Sequence, residues 1–195
     1  MPAPNHLKYG PEVMEFLLSR RSRPAKTLGP GGPDRAGLER ILTAAARSPD
    51  HAKLEPWRFV VIAGDARERA AALAAVRAEA LELDEKTTAK TVAGFTQGDV
   101  IVAVISSPKP SQKVPLWEQQ LSAGAVCLAL LNAALASGWG ANWLTGPMAY
   151  DPVFRRDFLG CAEGEAVAGF LHIGAETVAP PERPRPDVGE LTRWL

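Results

Sequence analysis

Along the chain, segments with a helical spacing of apolar residues alternate with short runs that are apolar without a break. The stretch "EVMEFLLSRR" (12–21) places Val13, Met14, Phe16 and Leu17 on one face and predicts a helix. A turn-rich "TLGPGGPD" (27–34) follows. Pro33-Asp34 then opens a second helix, "DRAGLERILTAAARS" (34–48), with an acid where the helix dipole favours one. Ser48-Pro49 ends it, because the residue before a proline is pushed out of helical angles. "RFVVIAG" (58–64) is a β-branched and aromatic strand. An alanine-rich helix follows from Asp65 to about Glu82, and a further helical piece runs to about Phe95. "VIVAVISS" (100–107) is nearly continuously apolar, as a fully buried strand is.

No charged side chain occurs from Gln119 to Tyr150. The centre of that stretch, "AGAVCLALLNAALA" (123–136), is apolar on every side. It predicts a long helix buried all round, either at the centre of a domain or against a second subunit. Its 14 residues fall short of the roughly 20 that a membrane span needs, and Asn132 interrupts their apolar run. "GANWLTG" (140–146) and "AGFLHIGAE" (168–176) read as two more strands, separated by a helix near 152–159. The tail "APPERPRPDVGELTRWL" (179–195) is proline-rich and therefore extended. It closes on Leu191, Trp194 and Leu195, which have no local core to join. No internal repeat or linker divides the chain, so residues 1–195 are expected to form one α+β domain. At 195 residues and 46% hydrophobic, such a domain buries roughly 70% of its unfolded surface.

Charge alters this picture only locally. Lys+Arg and Asp+Glu both number 22, which argues against binding nucleic acid or an anionic membrane, since both need a basic excess. Between residues 20 and 53, however, eight cations (Arg20, Arg21, Arg23, Lys26, Arg35, Arg40, Arg47, Lys53) face three acids (Asp34, Glu39, Asp50). A solvated basic face accounts for such a cluster. So does a small anion site, and so compact a group suits a phosphate better than a polymer. The opening "MPAPNHLKYG" has no apolar leader segment. Cys127 and Cys161 form no CxxC pair and are expected to be reduced, in a cytoplasmic protein. His6, His51 and His172 have no metal-ligand spacing, so no metal site is expected.

Familiar catalytic motifs are missing. "GPGGP" (29–33) follows no strand and lacks the Gly-Lys-Ser/Thr of a phosphate loop. "SGWGANW" (137–143) lacks a third glycine at dinucleotide spacing, and Gly138 reads as a helix C-cap. There is no Gly-x-Ser-x-Gly, and neither cysteine has a nucleophile context. No catalytic side chain is expected, and if the protein is an enzyme a cofactor must carry the chemistry.

Four motifs occur in a telling order: "RRS" (20–22), "RSPDHAKLEPWRFVVI" (47–62), "WEQQLSAGAV" (117–126) and "GANWLTG" (140–146). From about residue 11 to 176 the chain resembles the flavin-dependent nitroreductase family, most closely its small, minimal branch. The resemblance implies a central mixed β-sheet flanked by helices, around a long buried helix. It also implies a homodimer that binds FMN at the subunit interface. Arg20, Arg21 and Ser22 match the segment that grips the FMN phosphate and ribityl end, a task suited to guanidinium forks and a hydroxyl. Arg47 and His51 match flavin-contacting positions. Trp143, Leu144 and Thr145 match a strand end whose backbone approaches the ring. The segment 133–138 matches one implied to lie near the nicotinamide nucleotide. Two positions depart from the family pattern. Lys53 stands where many members have asparagine, and it could hold negative charge on the reduced ring. Leu144 stands where the resemblance implies a polar or basic residue in a close relative.

The implied activity is transfer of hydride from NAD(P)H to flavin, then to a nitroaromatic, quinone or similar small electron-poor acceptor, with ping-pong kinetics. Two other readings are a flavin-binding sensor or carrier without NAD(P)H turnover, and a related redox reaction such as reductive dehalogenation. A third is a cofactor-free structural domain whose basic cluster is only a solvated face. The apolar tail is expected to wrap the partner subunit.

Overall fold

The computed structural model describes residues 8–195; Met1–Leu7, with His6 and most of the opening decapeptide, lie outside the described residues. The first helix, α1 (Pro11–Ser19), begins on a proline and buries none of its side chains, leaving Val13 and Leu18 in solvent. The chain leaves it extended at Arg20. Arg20–Ser22 therefore lie beyond the helix rather than closing it. A nine-residue helix without tertiary packing has nothing to hold a further turn, and the chain is drawn off into the sheet edge described below.

A two-residue strand, β1 (Leu28–Gly29), precedes α2 (Arg35–Ala45), which the Asp34 carboxylate caps by accepting from the Gly37 N–H at 2.7 Å. Strand β2 (Trp57–Ala63) leads into α3 (Asp65–Ala80) and α4 (Glu85–Gly94) and then β3 (Val100–Ser106). Two helices in succession return the chain to the end it left, so β2 and β3 pair antiparallel from Trp57↔Ser106 to Ala63↔Val100. From β3 one helix, α5 (Leu116–Ala136), crosses to β4 (Gly140–Leu144). Two short helices, α6 (Pro147–Tyr150) and α7 (Pro152–Asp157), then precede the long β5 (Ala166–Glu176). The last element, α8 (Val188–Leu191), is one turn in the extended tail.

Strand β5 pairs with β3 along one edge and with β4 along the other, and its last two residues pair with β1. Both β3 and β4 run antiparallel to β5 and so share a direction, as strands joined by a single crossover helix do. The expected mixed sheet is corrected to this extent: β5 intervenes, and every pairing among the described residues is antiparallel.

The sheet is covered on both faces, which explains the unbroken apolar run of β3. Val100, Val102 and Val104 point to α2 and α5, while Ile101, Ala103 and Ile105 point to α3, α6 and α7. The register of β5 against β3 slips at Val104/Ile105, where Ala168 is the unpaired residue. The α5 helix runs 21 residues, longer than its apolar centre and long enough to cross a membrane by length and composition alone. Its Ala123, Val126, Cys127, Leu130 and Ala134 pack into the core. It is not buried all round: Leu121 and Leu128 on its outer side stay exposed. So do Val188, Leu191, Trp194 and Leu195 of the tail.

Candidate active site

The sequence-predicted residues fall into three groups. The first, Arg20–Ser22, lies half-buried beside the outer edge of β4. The backbone there is fixed by Arg23, whose N–H donates to the Ala141 carbonyl at 2.8 Å. The Arg23 Nε meets Glu176 Oε1 at 2.7 Å, and its Nη1 reaches the Arg21 carbonyl at 3.3 Å. Arg20 Nη2 donates to Ser22 Oγ at 3.3 Å. Arg20 Nε and Arg21 Nη1 are buried and have no hydrogen-bond partner among the described residues. Buried donors are nearly always satisfied, and a charged one left without an acceptor is costly. Burial, then the nearby charges of Arg185 and Arg23, push the Arg20 guanidinium below its ordinary value. Arg185 belongs to the tail, where it pairs with Glu182 at 2.9 Å; Glu182 in turn feels Arg21. The tail therefore passes within electrostatic reach of this trio.

The second group is the loop 47–56. Ala52, Lys53 and Glu55 all have positive φ (61°, 53° and 49°), a region that side-chain-bearing residues avoid. Such strain clusters at functional sites and persists only where surroundings enforce it. Asp50 does the enforcing: its carboxylate accepts from the Leu54 N–H at 3.1 Å and the Glu55 N–H at 2.8 Å. The loop is tied to the start of α5. His51 Nδ1 meets Glu118 Oε2 at 2.9 Å, Ser122 Oγ donates to the Pro49 carbonyl at 2.7 Å, and Trp57 Nε1 donates to Ser122 Oγ at 3.2 Å. Arg47 and Lys53 do not share a pocket. Arg47 faces a shallow groove between α2 and α5 with Leu128 and Asn132, whereas Lys53 lies in a second depression with Asp50, Glu55 and Trp57.

The structure does not join these two groups within one chain. The trio lies beside Ala141, just past the C-terminal end of α5, and the loop is anchored at its first two turns. That helix is about 30 Å long.

The third group divides across β4. Trp143 points into the core on the α5 side, its Nε1–H donating to the Ala168 carbonyl at 3.2 Å. Its indole lies across Gly169, where a Cβ would stand 2.0 Å from Nε1. The side chain is thus committed to packing, and only the Trp143 backbone remains for a ligand. Leu144 and Thr145 open on the other face into a cavity of about 230 Å³ between α4, the start of α6 and β5. Phe95, Met148 and Phe170 supply its apolar lining; Thr87, Lys90, Thr91, Gln97 and His172 supply its polar groups.

None of these polar groups was expected from sequence. Lys90 is the cation that faces Leu144 and Thr145, a place the sequence reading left without one. The available signal was weak: Thr87, Lys90 and Thr91 recur at helical spacing on α4. His172 gave a clearer one, as the one ionisable residue of β5 apart from its terminal Glu176. Among the described residues no group of His, Cys, Asp and Glu is placed to hold a metal ion.

Comparison with known proteins agrees with this architecture. The model of the nitroreductase family matches residues 17–175. The chain is 37% identical over 163 residues to the "Putative NAD(P)H nitroreductase YdjA" of Escherichia coli K12, covering 84% of this chain and 87% of that one. It is 32% identical over 164 residues to a "Putative NAD(P)H nitroreductase" of Haemophilus influenzae, covering 84% and 88%. Among solved structures, a nitroreductase-like protein of Bacillus cereus superposes with a TM-score of 0.79 at 22% identity, over 98% of this chain and 99% of that one. The Lactococcus lactis nitroreductase CinD, solved with nicotinic acid, does so with a TM-score of 0.74 at 16% identity, over 94% and 99%. The fold, the ordered motifs and these relatives agree: the chain belongs to the nitroreductase family of oxidoreductase enzymes.

Proposed function

We propose that the chain is an FMN-dependent NAD(P)H oxidoreductase, acting as a cytoplasmic homodimer on nitroaromatics, quinones or similar electron-poor acceptors. The observation that carries this reading is the pair of buried guanidinium nitrogens, Arg20 Nε and Arg21 Nη1, left without acceptors beside β4. A phosphate monoester offers the oxygens they lack, in charge-assisted bonds, and Ser22 adds a hydroxyl. The cavity at the far end of the same strand combines an apolar lining with a few polar groups, as a site for a planar heterocycle does.

When bound, FMN supplies the two-electron chemistry, taking hydride from NAD(P)H and passing it to the acceptor in ping-pong fashion. The chain's own residues bind and orient. Arg20, Arg21 and Ser22 hold the phosphate end. The backbone of Trp143, Leu144 and Thr145 lines the ring's approach. Lys90 brings a positive charge to the cavity, so the role first given to Lys53 is shared with a residue on α4. His51, tied to Glu118 at the first turn of α5, lies about the length of that helix from the trio, so a site that uses His51 and Lys53 together with the trio needs the loop of a second copy. That requirement, with the exposed apolar faces of α1 and α5, supports the homodimer. No side chain is assigned as acid or base, because water reaches so open a site.

The test is a visible absorption spectrum of the purified protein with FMN, before and after NADPH. A bound-flavin band that bleaches with NADPH and returns with a quinone is the expected result. A band that NADPH leaves intact overturns the activity, and no flavin uptake overturns the cofactor.

A further inference from the structure

The loop that carries His51 is fixed to α5 at two points one helical turn apart. Ser122 Oγ donates to the Pro49 carbonyl at 2.7 Å and holds the loop backbone. Four residues earlier, and so on the same face of the helix, Glu118 Oε2 meets His51 Nδ1 at 2.9 Å across 67 residues of sequence. Glu118 stands in the first turn of α5, where the helix dipole alone favours an acid. Its carboxylate, however, bonds no backbone N–H of that turn among the described residues and reaches out to the loop instead. The contact engages one nitrogen of a side chain that is otherwise open, since 59% of the His51 side chain is accessible. A surface ion pair of this kind adds little to stability. What it does is set the direction of the ring.

We propose that Glu118 is a positioning residue of the flavin site, holding the His51 imidazole by Nδ1 so that Nε2 is presented to the flavin held by a second copy. The inference rests on the functional reading given above, in which His51 reaches the flavin only across the dimer. Three observations carry it. First, an ionised carboxylate only accepts, so Nδ1 is the donor and the proton stays on that nitrogen. Nε2 is then the one ring nitrogen left to a ligand, an acceptor while the ring is neutral and a donor once it is charged. Second, the backbone beneath the ring is held as well. His51 opens the short turn 51–53, Asp50 accepts from the Leu54 and Glu55 N–H groups, and Trp57 Nε1 closes the far end of the loop on Ser122 at 3.2 Å. With backbone and Nδ1 both fixed, the histidine gives up its rotamer freedom before any ligand arrives, which lowers the cost of binding. Third, the left-handed residues Ala52 and Lys53 follow His51 directly. The loop thus accepts strained backbone to keep one shape, which a plain connector has no need to do.

The test is a double-variant cycle on FMN binding with wild type, E118A, E118Q, H51A and E118A/H51A. Each is titrated with FMN by fluorescence and melted without flavin. H51A removes the bond made by Nε2 and should weaken FMN about 3- to 10-fold. E118A frees the ring and should weaken FMN by about 2-fold or more, up to the H51A loss. E118A/H51A should be no weaker than H51A alone, since an acid that acts through His51 has nothing left to hold. E118Q keeps an acceptor for the Nδ1–H without the charge and should stay within about 2-fold of wild type. Without flavin, every variant should melt within about 2 °C of wild type. Losses that add in the double variant overturn the assignment, because Glu118 then acts independently of His51. So does an E118A loss that glutamine fails to rescue, which belongs to the helix dipole, or one that tracks a lower melting temperature. H51A binding FMN as tightly as wild type overturns it too, by removing the contact that Glu118 serves. If wild type itself takes up no FMN, the functional reading falls and this one with it. If wild type binds FMN and E118A matches it, only Glu118 is misassigned.

Discussion

Replacing Arg20 and Arg21 together by alanine tests the anion site directly, and the structure sets the size of the effect. Each guanidinium has one buried nitrogen without an acceptor, Nε in Arg20 and Nη1 in Arg21. A hydrogen bond to a charged group contributes about 1.5–3 kcal/mol, so satisfying both with phosphate oxygens amounts to about 3–6 kcal/mol. At about 1.4 kcal/mol per tenfold, the double variant should bind FMN roughly 10²- to 10⁴-fold more weakly. Riboflavin, which has the same ring and ribityl chain without the phosphate, should bind wild type and variant alike. The unliganded protein should not be destabilised, because the substitution removes a partly desolvated cation that Arg185 and Arg23 repel. Fluorescence titration with both flavins, beside a thermal melt, reads all three quantities. Equal FMN affinity in the variant refutes the phosphate assignment. An equal loss for riboflavin refutes it too, by showing that the trio shapes the pocket rather than the anion site.

Further outcomes follow from other parts of the molecule. Asp50→Ala removes the acceptor of the Leu54 and Glu55 N–H groups that hold the left-handed residues. It should cost about 1–3 kcal/mol in urea unfolding, and no measurable loss would mean the loop holds its own shape. His172 is neutral when folded, with a pKa lowered to about 4 from 6.5. The folded state therefore binds fewer protons between those values, so stability is complete above about 6.5 and falls as pH drops towards 4, by on the order of 2–3 kcal/mol. Urea melts at pH 7 and pH 4.5 should show that loss in wild type and not in H172N; equal losses in both would deny that His172 is its source. Glu165, held to about 2 chiefly by the Arg58 hydrogen bond, adds stability above about 4.5 that is lost as pH falls towards 2. Glu165→Gln should flatten that acid limb, and an unaltered limb would assign it to other carboxylates. Deleting residues 180–195 removes Val188, Leu191, Trp194 and Leu195, all exposed on the single chain. Sedimentation should show a weakened dimer, and an unaltered dissociation constant would place the tail elsewhere.

Much of the fold was legible in the sequence, because the signals are local. The apolar run of 100–107 needs cover on both faces, and β3 has it. Asp34 caps α2 for a reason internal to the backbone, whereas the helix ends at Ala45, short of Ser48-Pro49. The proline-rich tail runs extended except for one turn. The family could also be recognised, since its four motifs are ordered along the chain and each is contiguous.

What the tertiary structure alone decided is every relation between distant segments. Composition cannot say that β5 slides between β3 and β4, because that depends on how two hairpin helices and one crossover helix return the chain to the sheet. Nor can it say that Arg20–Ser22 leave the helix to run beside Ala141, since a backbone N–H from Arg23 must find that carbonyl across more than a hundred residues. The Trp143 side chain packs over Gly169, which leaves its backbone alone for a ligand, while Lys90 and His172 gave little notice and border the cavity. The reason is the same in each case. Periodicity reports which face of an element is buried, whereas a site is made where faces of different elements converge. The positive φ of Ala52, Lys53 and Glu55 belongs there too, because three side-chain-bearing residues adopt it only where Asp50 and α5 hold them.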